Sequence, residues 1–253
     1  MLDPLWFILL GIVTGFLGGA LGLGGGFILV PVFHIVFRWP LIESVAASQF
    51  CILATSLSSA QRYLASGNVN VRLGVILEAT TIAGAALGAS IAHVVPELVV
   101  LIIFALVTTL SGIRMWQPSG ADDGETAIPP SAARTGVGAG ASGLVGLAAG
   151  LLGIGGGVLK VPILHFFLGE PMRRATATSA YMIGLTAAAA AAVYYGRGDL
   201  DLTKGGVVAL GILLGSYLGA VSQPHIPVKV LKRVFAVILL ILAVRMAGRA
   251  LGW

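Results

Sequence analysis

The chain has 253 residues, of which 57% are hydrophobic and only 10% charged, with a mean hydropathy of +1.00. A soluble domain carries about 25% charged residues, so this composition excludes one and predicts an integral membrane protein. The net charge of +5 does not describe a nucleic-acid surface, because Lys and Arg are scattered through short loops as cytoplasmic-side anchors are.

The opening Met1-Leu2-Asp3-Pro4 lacks the positive n-region of a signal peptide. The first apolar segment is therefore expected to stay in the mature protein. Apolar segments fall at about 5–21, 26–37, 44–64, 72–92 and 97–115, then at 134–152, 157–168, 175–195, 205–222 and 228–250. The run from Leu5 to Phe37 would extend ~50 Å as one helix, against a hydrocarbon core of ~30 Å. It must break, and the break is written at Gly22-Leu23-Gly24-Gly25-Gly26. Three consecutive glycines cost a helix roughly 3 kcal/mol relative to alanine. The single cysteine, Cys51, lies inside an apolar segment, so it reads as packing, with no disulfide framework.

A polar, acidic, Pro/Gly-rich stretch at 116–133 reads as a solvated linker. Beyond it the chain repeats itself. An offset of 131 places Gly24-Gly25-Gly26 on Gly155-Gly156-Gly157, Pro31 on Pro162 and His34 on His165. The register continues without a gap through Ser48/Ser179, Thr55/Thr186, Tyr63/Tyr194, Gly84/Gly215, Gly88/Gly219 and Arg114/Arg245. Chance similarity between apolar stretches reproduces Leu and Ala, not this series. The expected organisation is a first repeat at 1–115, the linker, and a second repeat at 134–253.

The positive-inside rule chooses between parallel and inverted halves. With an odd number of crossings per half, one face carries Arg62, Arg72, Arg114, Arg134, Arg173, Arg174, Lys229, Lys232 and Arg233. The other carries Arg38, Arg197, Lys204, Arg245 and Arg249. The parallel alternative leaves almost no bias. The expected fold is an all-α polytopic membrane protein of two inverted repeats, each with a glycine-broken pair of short helices plus three full transmembrane helices. Such repeats, with discontinuous helices around a midplane site, are the usual build of secondary transporters.

The breaks are the first candidates for chemistry. Unwound backbone at membrane depth is tolerated only where it is buried in protein or lines a wet cavity. Helices restarting at Gly26 and Gly157 would aim unpaired N–H groups at an anion; the competing reading is close helix packing. Lys160 stands three residues past the second break, where the first repeat has Leu29. A lysine at that depth is costly, and it reads either as a counter-charge for an anionic substrate or as a side chain snorkelling to the interface. His34 and His165 are candidates for substrate contact or proton coupling, against a structural role. Ser48 and Gln49, with Thr178 and Ser179, offer hydroxyl and amide groups for substrate oxygens or for helix capping. Pro31 and Pro162 are candidate hinges. Glu78, whose repeat mate is Ala209, is a proton-relay candidate, with pairing to an Arg such as Arg72 as the alternative. Tyr63 and Tyr194 read as interfacial anchors, and Glu43, Glu97 and Glu170 as solvated loop residues. No metal cluster, P-loop or nucleophilic triad is present. Neither a cofactor nor enzyme activity is expected.

With Gly22-x-Gly24-Gly25-Gly26 and Pro31, Gly153-x-Gly155-Gly156-Gly157 with Lys160 and Pro162, and Ala175-x-Ala177-Thr178-Ser179, the chain resembles the TauE/SafE family. This is the family of sulfite exporters and organosulfonate permeases, also called TSUP. The first repeat departs from the pattern by carrying Ala47-Ser48 where the second has Thr178-Ser179. The resemblance implies a secondary transporter of a small sulfur-containing anion in the cytoplasmic (inner) membrane. Sulfite, sulfonates such as taurine or isethionate, and sulfoacetate are the typical substrates. Alternating access would operate around the two breaks, with the bilayer and the anion as partners, protons as the candidate coupling ion, and a homo-oligomer compatible. A passive anion channel, or a transporter of another small organic anion, is the alternative.

Overall fold

A computed structural model describes residues 4–116 and 131–250. Residues 117–130, which make up most of the expected linker, lie outside the described residues. The first half runs α1 (Pro4–Leu21), α2 (Gly26–Pro31), α3 (Leu41–Ala65), α4 (Val71–Ile91) and α5 (Glu97–Trp116). The second runs α6 (Ala132–Leu152), α7 (Gly157–Pro162), α8 (Met172–Gly196), α9 (Leu202–Ser222) and α10 (Val228–Ala250). No strand occurs among the described residues.

Helix boundaries follow local chemistry. Asn70 caps α4 by accepting from the Leu73 N–H at 3.2 Å, and Ser131 caps α6 by accepting from Arg134 N–H at 3.3 Å. Pro40 and Pro171 stand immediately before α3 and α8, where a residue without an N–H leaves no intrahelical bond unmade. The glycine-broken pairs are unequal: α1 and α6 run 18 and 21 residues, whereas α2 and α7 run six each. Pro31 and Pro162 end these short helices, and the following turns, Val32–Val36 and Ile163–Phe167, widen to π geometry. There Phe37 N–H donates to Val32 O at 3.1 Å and Leu168 N–H to Ile163 O at 3.0 Å.

Among the described residues five helices (α3, α4, α6, α8 and α9) are long and apolar enough to cross a membrane, and shorter apolar helices accompany them. Large apolar side chains such as Leu57, Leu87, Leu144 and Leu210 point outward. In water they would be a liability; in a bilayer they face their solvent. This is a multi-pass membrane protein.

Glycine rows hold the periphery together. Along α1 and α9, Gly211 packs on Ile8, Gly215 on Ile12 and Gly219 on Phe16, so the two helices run parallel. The repeat-related pair α4 and α6 does the same: Gly146 sits on Thr81 and Gly150 on Ala85. A Cβ at Gly84 would fall on the carbonyl oxygen of Gly143, whereas one at Gly140 would meet nothing. Small residues at fourfold spacing let backbones approach where lipid gives no hydrophobic drive.

At the centre, α3 packs against its own repeat mate α8, and the two are antiparallel. Ile52 and Ile183, equivalent by the offset, share one buried cluster. Ser56 Oγ donates to Ala180 O at 2.7 Å, and Tyr63 packs with Ala177 and Ala180.

Gly84→Ala is expected to destabilise the protein by about 1–3 kcal/mol, because the α4–α6 backbones have no room to yield. Gly140→Ala should stay within about 0.5 kcal/mol of wild type. Thermal unfolding in detergent compares the two.

Candidate functional site

The two breaks meet between α3 and α8. Gly24 and Gly25 (φ 81° and 76°) and Gly155 and Gly156 (φ 63° and 78°) occupy the left-handed region that glycine alone enters cheaply. A Cβ on Gly26 would press on Gly153 O and Ser48 Oγ, and one on Gly157 would press on Gly22 O and Leu23. Each short helix therefore starts against the other repeat's break, and the absence of side chains there allows it.

The carbonyls freed by unwinding find hydroxyls. Ser48 Oγ donates to Gly153 O at 2.7 Å, and its mate Ser179 donates to Gly22 O at 2.8 Å. Gln49 Nε2 donates to Ala149 O at 2.6 Å, while Gln49 Oε1 is buried with no hydrogen-bond partner. Thr178 Oγ1 accepts from Asn70 N–H at 2.9 Å. In this conformation Ser48, Ser179 and Thr178 serve backbone groups, and Ile52 and Ile183 fill the space beside Gly24 and Gly155.

Tyr63 and Tyr194 are not interfacial anchors. Both are buried, donating to Gly19 O at 2.7 Å and Gly150 O at 2.8 Å, where they tie α3 and α8 to the ends of α1 and α6. Glu170 is not solvated either. It is 1% exposed, accepts from Asn70 Nδ2 at 2.5 Å and lies 3.4 Å from Arg174 Nε. Glu97, by contrast, is half exposed.

The charged core of the site breaks the symmetry. Lys160, 2% exposed, donates from Nζ to Glu78 Oε2 at 2.8 Å and to Thr186 Oγ1 at 2.6 Å. Thr186 in turn donates to the other carboxylate oxygen, Glu78 Oε1. The partner of Glu78 is thus Lys160 rather than Arg72, and Lys160 does not snorkel. The positions equivalent to Lys160 and Glu78 by the offset are Leu29 of the first repeat and Ala209 of the second, and these share one buried apolar cluster. Thr55, the mate of Thr186, donates instead to Gly24 O at 2.9 Å. One side of the crossing therefore holds an ion pair and the other side hydrocarbon. Thr186 was not a candidate from the sequence, although its place opposite Thr55 in the duplication was visible.

The histidines sit in the π turns. His34 Nδ1 lies 3.0 Å from Trp39 O, and His165 Nδ1 lies 2.9 Å from Glu170 O, so each ring closes its turn onto the next loop. A carbonyl only accepts, which fixes the proton on Nδ1. His34 Nε2 is 3.1 Å from Glu97 Oε1, in ion-pair rather than hydrogen-bond geometry. The Nδ1 contacts of both rings run to the loops that follow their turns. No group of three metal-ligating side chains occurs among the described residues.

The family profile described as Sulfite exporter TauE/SafE matches residues 7–246. The chain belongs to the TauE/SafE family. Curated relatives bear the names of membrane transporters. "Probable membrane transporter protein YdhB" of Bacillus subtilis is 28% identical over 243 residues, covering 92% of this chain and 94% of the relative. "Probable membrane transporter protein YunE" of Bacillus subtilis is 32% identical over 108 residues, 43% of this chain. "Probable membrane transporter protein MJ0441" of Methanocaldococcus jannaschii is 32% identical over 99 residues, 36% of this chain. The chain spans 40% and 36% of the length of the last two. No solved structure matches the chain.

Breaking a buried ion pair from one side costs about 3–5 kcal/mol, whereas replacing both members with apolar residues is often neutral. Glu78→Ala should therefore destabilise strongly. The double variant Lys160→Leu/Glu78→Ala, which installs at each position the residue of its repeat mate, should unfold near the wild-type temperature.

Proposed function

We propose that this protein is a secondary transporter of a small sulfur-containing anion, working by alternating access around the crossing of the two breaks. The observation that carries this reading is the buried cation Lys160, held beside the second break by a carboxylate and a hydroxyl that another anion can replace. A buried lysine needs a counter-charge, and Glu78 supplies it when the site is empty. A substrate oxyanion entering the site takes the place of the Glu78 carboxylate at Nζ. Glu78 then takes up a proton rather than remain a bare charge at membrane depth, so anion and proton occupancy are linked. The N–H groups at Gly24–Gly26 and Gly155–Gly157 and the hydroxyls of Ser48, Thr178 and Ser179 complete the shell once the substrate separates the breaks. Gln49, with a buried oxygen lacking a partner, adjoins the same shell.

The antiparallel course of α3 and α8 supports an inverted arrangement of the repeats. Two mates that cross the bilayer in opposite senses are related by an axis in the membrane plane, the arrangement found in many secondary transporters. The sulfur-anion class rests on the family's description as a sulfite exporter.

Thermal-shift titration of purified protein with sulfite, sulfate, thiosulfate, taurine, isethionate and sulfoacetate tests the assignment. Binding to the native state alone raises the unfolding temperature with ligand concentration. Saturable stabilisation by one of these anions, weakened in Lys160→Ala, is the expected outcome. Stabilisation by simple carboxylates or cations alone would overturn the sulfur-anion assignment.

A further inference from the structure

A cavity of about 270 Å³ opens beside α3 and α5, lined among others by His34, Ile42, Val45, Ala92, Glu97 and Tyr194. Its inner end reaches the second break. Tyr194 donates to Gly150 O, and a Cβ on Gly153 would lie 2.9 Å from Val45 Cα. Gly153 is the residue whose carbonyl Ser48 holds. One layer of side chains thus separates the cavity from the crossing. At its mouth a second cavity of about 340 Å³, lined by His34, Ile35, Arg38 and Trp39, shares the His34 wall.

The 131-residue offset gives every lining residue a counterpart, and among the described counterparts three residues meet in a hydrogen-bonded contact that the cavity side lacks. Ile42 is replaced by Arg173, Ala92 by Gln223 and Val95 by Ile226. Arg173 Nη1 donates to Gln223 O at 2.8 Å and Nη2 to Ile226 O at 3.1 Å. Gln223 Nε2 returns a bond to Arg173 O at 3.3 Å. Gln223 is 1% exposed. The guanidinium fork clips α8 to the short turn after α9, and beneath it Thr176, the counterpart of Val45, is buried with its hydroxyl lacking a hydrogen-bond partner. Ile42 and Ala92 have no groups with which to form this clasp.

We propose that the cavity beneath His34 and Glu97 is the open half of the substrate path, and that the Arg173–Gln223–Ile226 clasp is the closed gate of the other half. The inference rests on the transport reading above and adds to it which side is open and which residues close the other. The mouth suits an anion in part. Arg38 is exposed there in the left-handed region (φ 57°), where the second repeat has Gly169 (φ 75°). The His34 ring faces the Glu97 carboxylate at 3.1 Å, and His93, also on the cavity wall, lies 2.8 Å from Asp199 Oδ2.

Cysteine accessibility tests the proposal without a transport assay. In a Cys51→Ala background, Val45→Cys and Thr176→Cys are treated with a membrane-impermeant anionic methanethiosulfonate, applied separately to each face of sealed vesicles. Val45→Cys should react from one face an order of magnitude faster than Thr176→Cys does from either. Arg173→Ile/Gln223→Ala, which installs the open side's own residues, should raise Thr176→Cys reactivity by an order of magnitude, from the opposite face only. The proposal is overturned if Val45→Cys is inert, or if Thr176→Cys reacts as fast with the clasp intact. It is equally overturned if Thr176→Cys stays protected in the clasp variant while Val45→Cys in that same variant still reacts, which shows the variant to be folded. Loss of anion binding in Lys160→Ala with this labelling pattern unchanged would leave the gate assignment standing, so the two readings fail separately.

Discussion

Unwound backbone inside a membrane must find its hydrogen-bond partners within the protein, because no water is there to supply them. The rest of this structure depends on that constraint. Two glycine breaks, one from each half of a duplicated chain, are set against each other, and hydroxyls one repeat apart satisfy the carbonyls that unwinding frees. Ser48 serves Gly153 and Ser179 serves Gly22. The requirement for glycine follows from this contact: the short helices begin where a Cβ would strike the opposite break.

Symmetry makes the crossing and departures from symmetry give it direction. Lys160 and Glu78 stand where the other repeat has Leu29 and Ala209, and Arg173 and Gln223 stand where it has Ile42 and Ala92. The first departure puts charge on one side of the crossing. The second places a guanidinium clasp on one side, where the other side has a cavity. In the proposed transport cycle a duplicated scaffold offers two equivalent conformations, and these substitutions between the halves bias which is occupied. The substituted residues are consequently more informative about function than the shared ones.

Much of this was legible in the sequence, for particular reasons. The glycine runs announced their breaks because three consecutive glycines cost a helix roughly 3 kcal/mol, and the ungapped offset of 131 gave the repeat. Lys160 and Glu78 stood out singly because charge is rare at membrane depth. Their pairing did not, because residues 82 positions apart on different helices carry no spacing signal. Glu170 was misread as solvated and Tyr63 and Tyr194 as interfacial. All three lie at helix ends, where sequence position suggests exposure, and only the three-dimensional course shows that Asn70 and the ends of α1 and α6 cover them. Thr186 was hidden for the opposite reason. The sequence places it only as the repeat mate of Thr55, whereas the two hydroxyls do different things.

The most direct test of the central claim, that the asymmetric Lys160–Glu78 pair is the transport site rather than a structural relic, is flux in proteoliposomes. Wild type is compared with Lys160→Leu/Glu78→Ala, using radiolabelled sulfite and taurine with and without an imposed proton gradient. The account predicts saturable, gradient-dependent flux in wild type and none in the double variant, although that variant folds and unfolds like wild type. Undiminished flux through the folded double variant would contradict it.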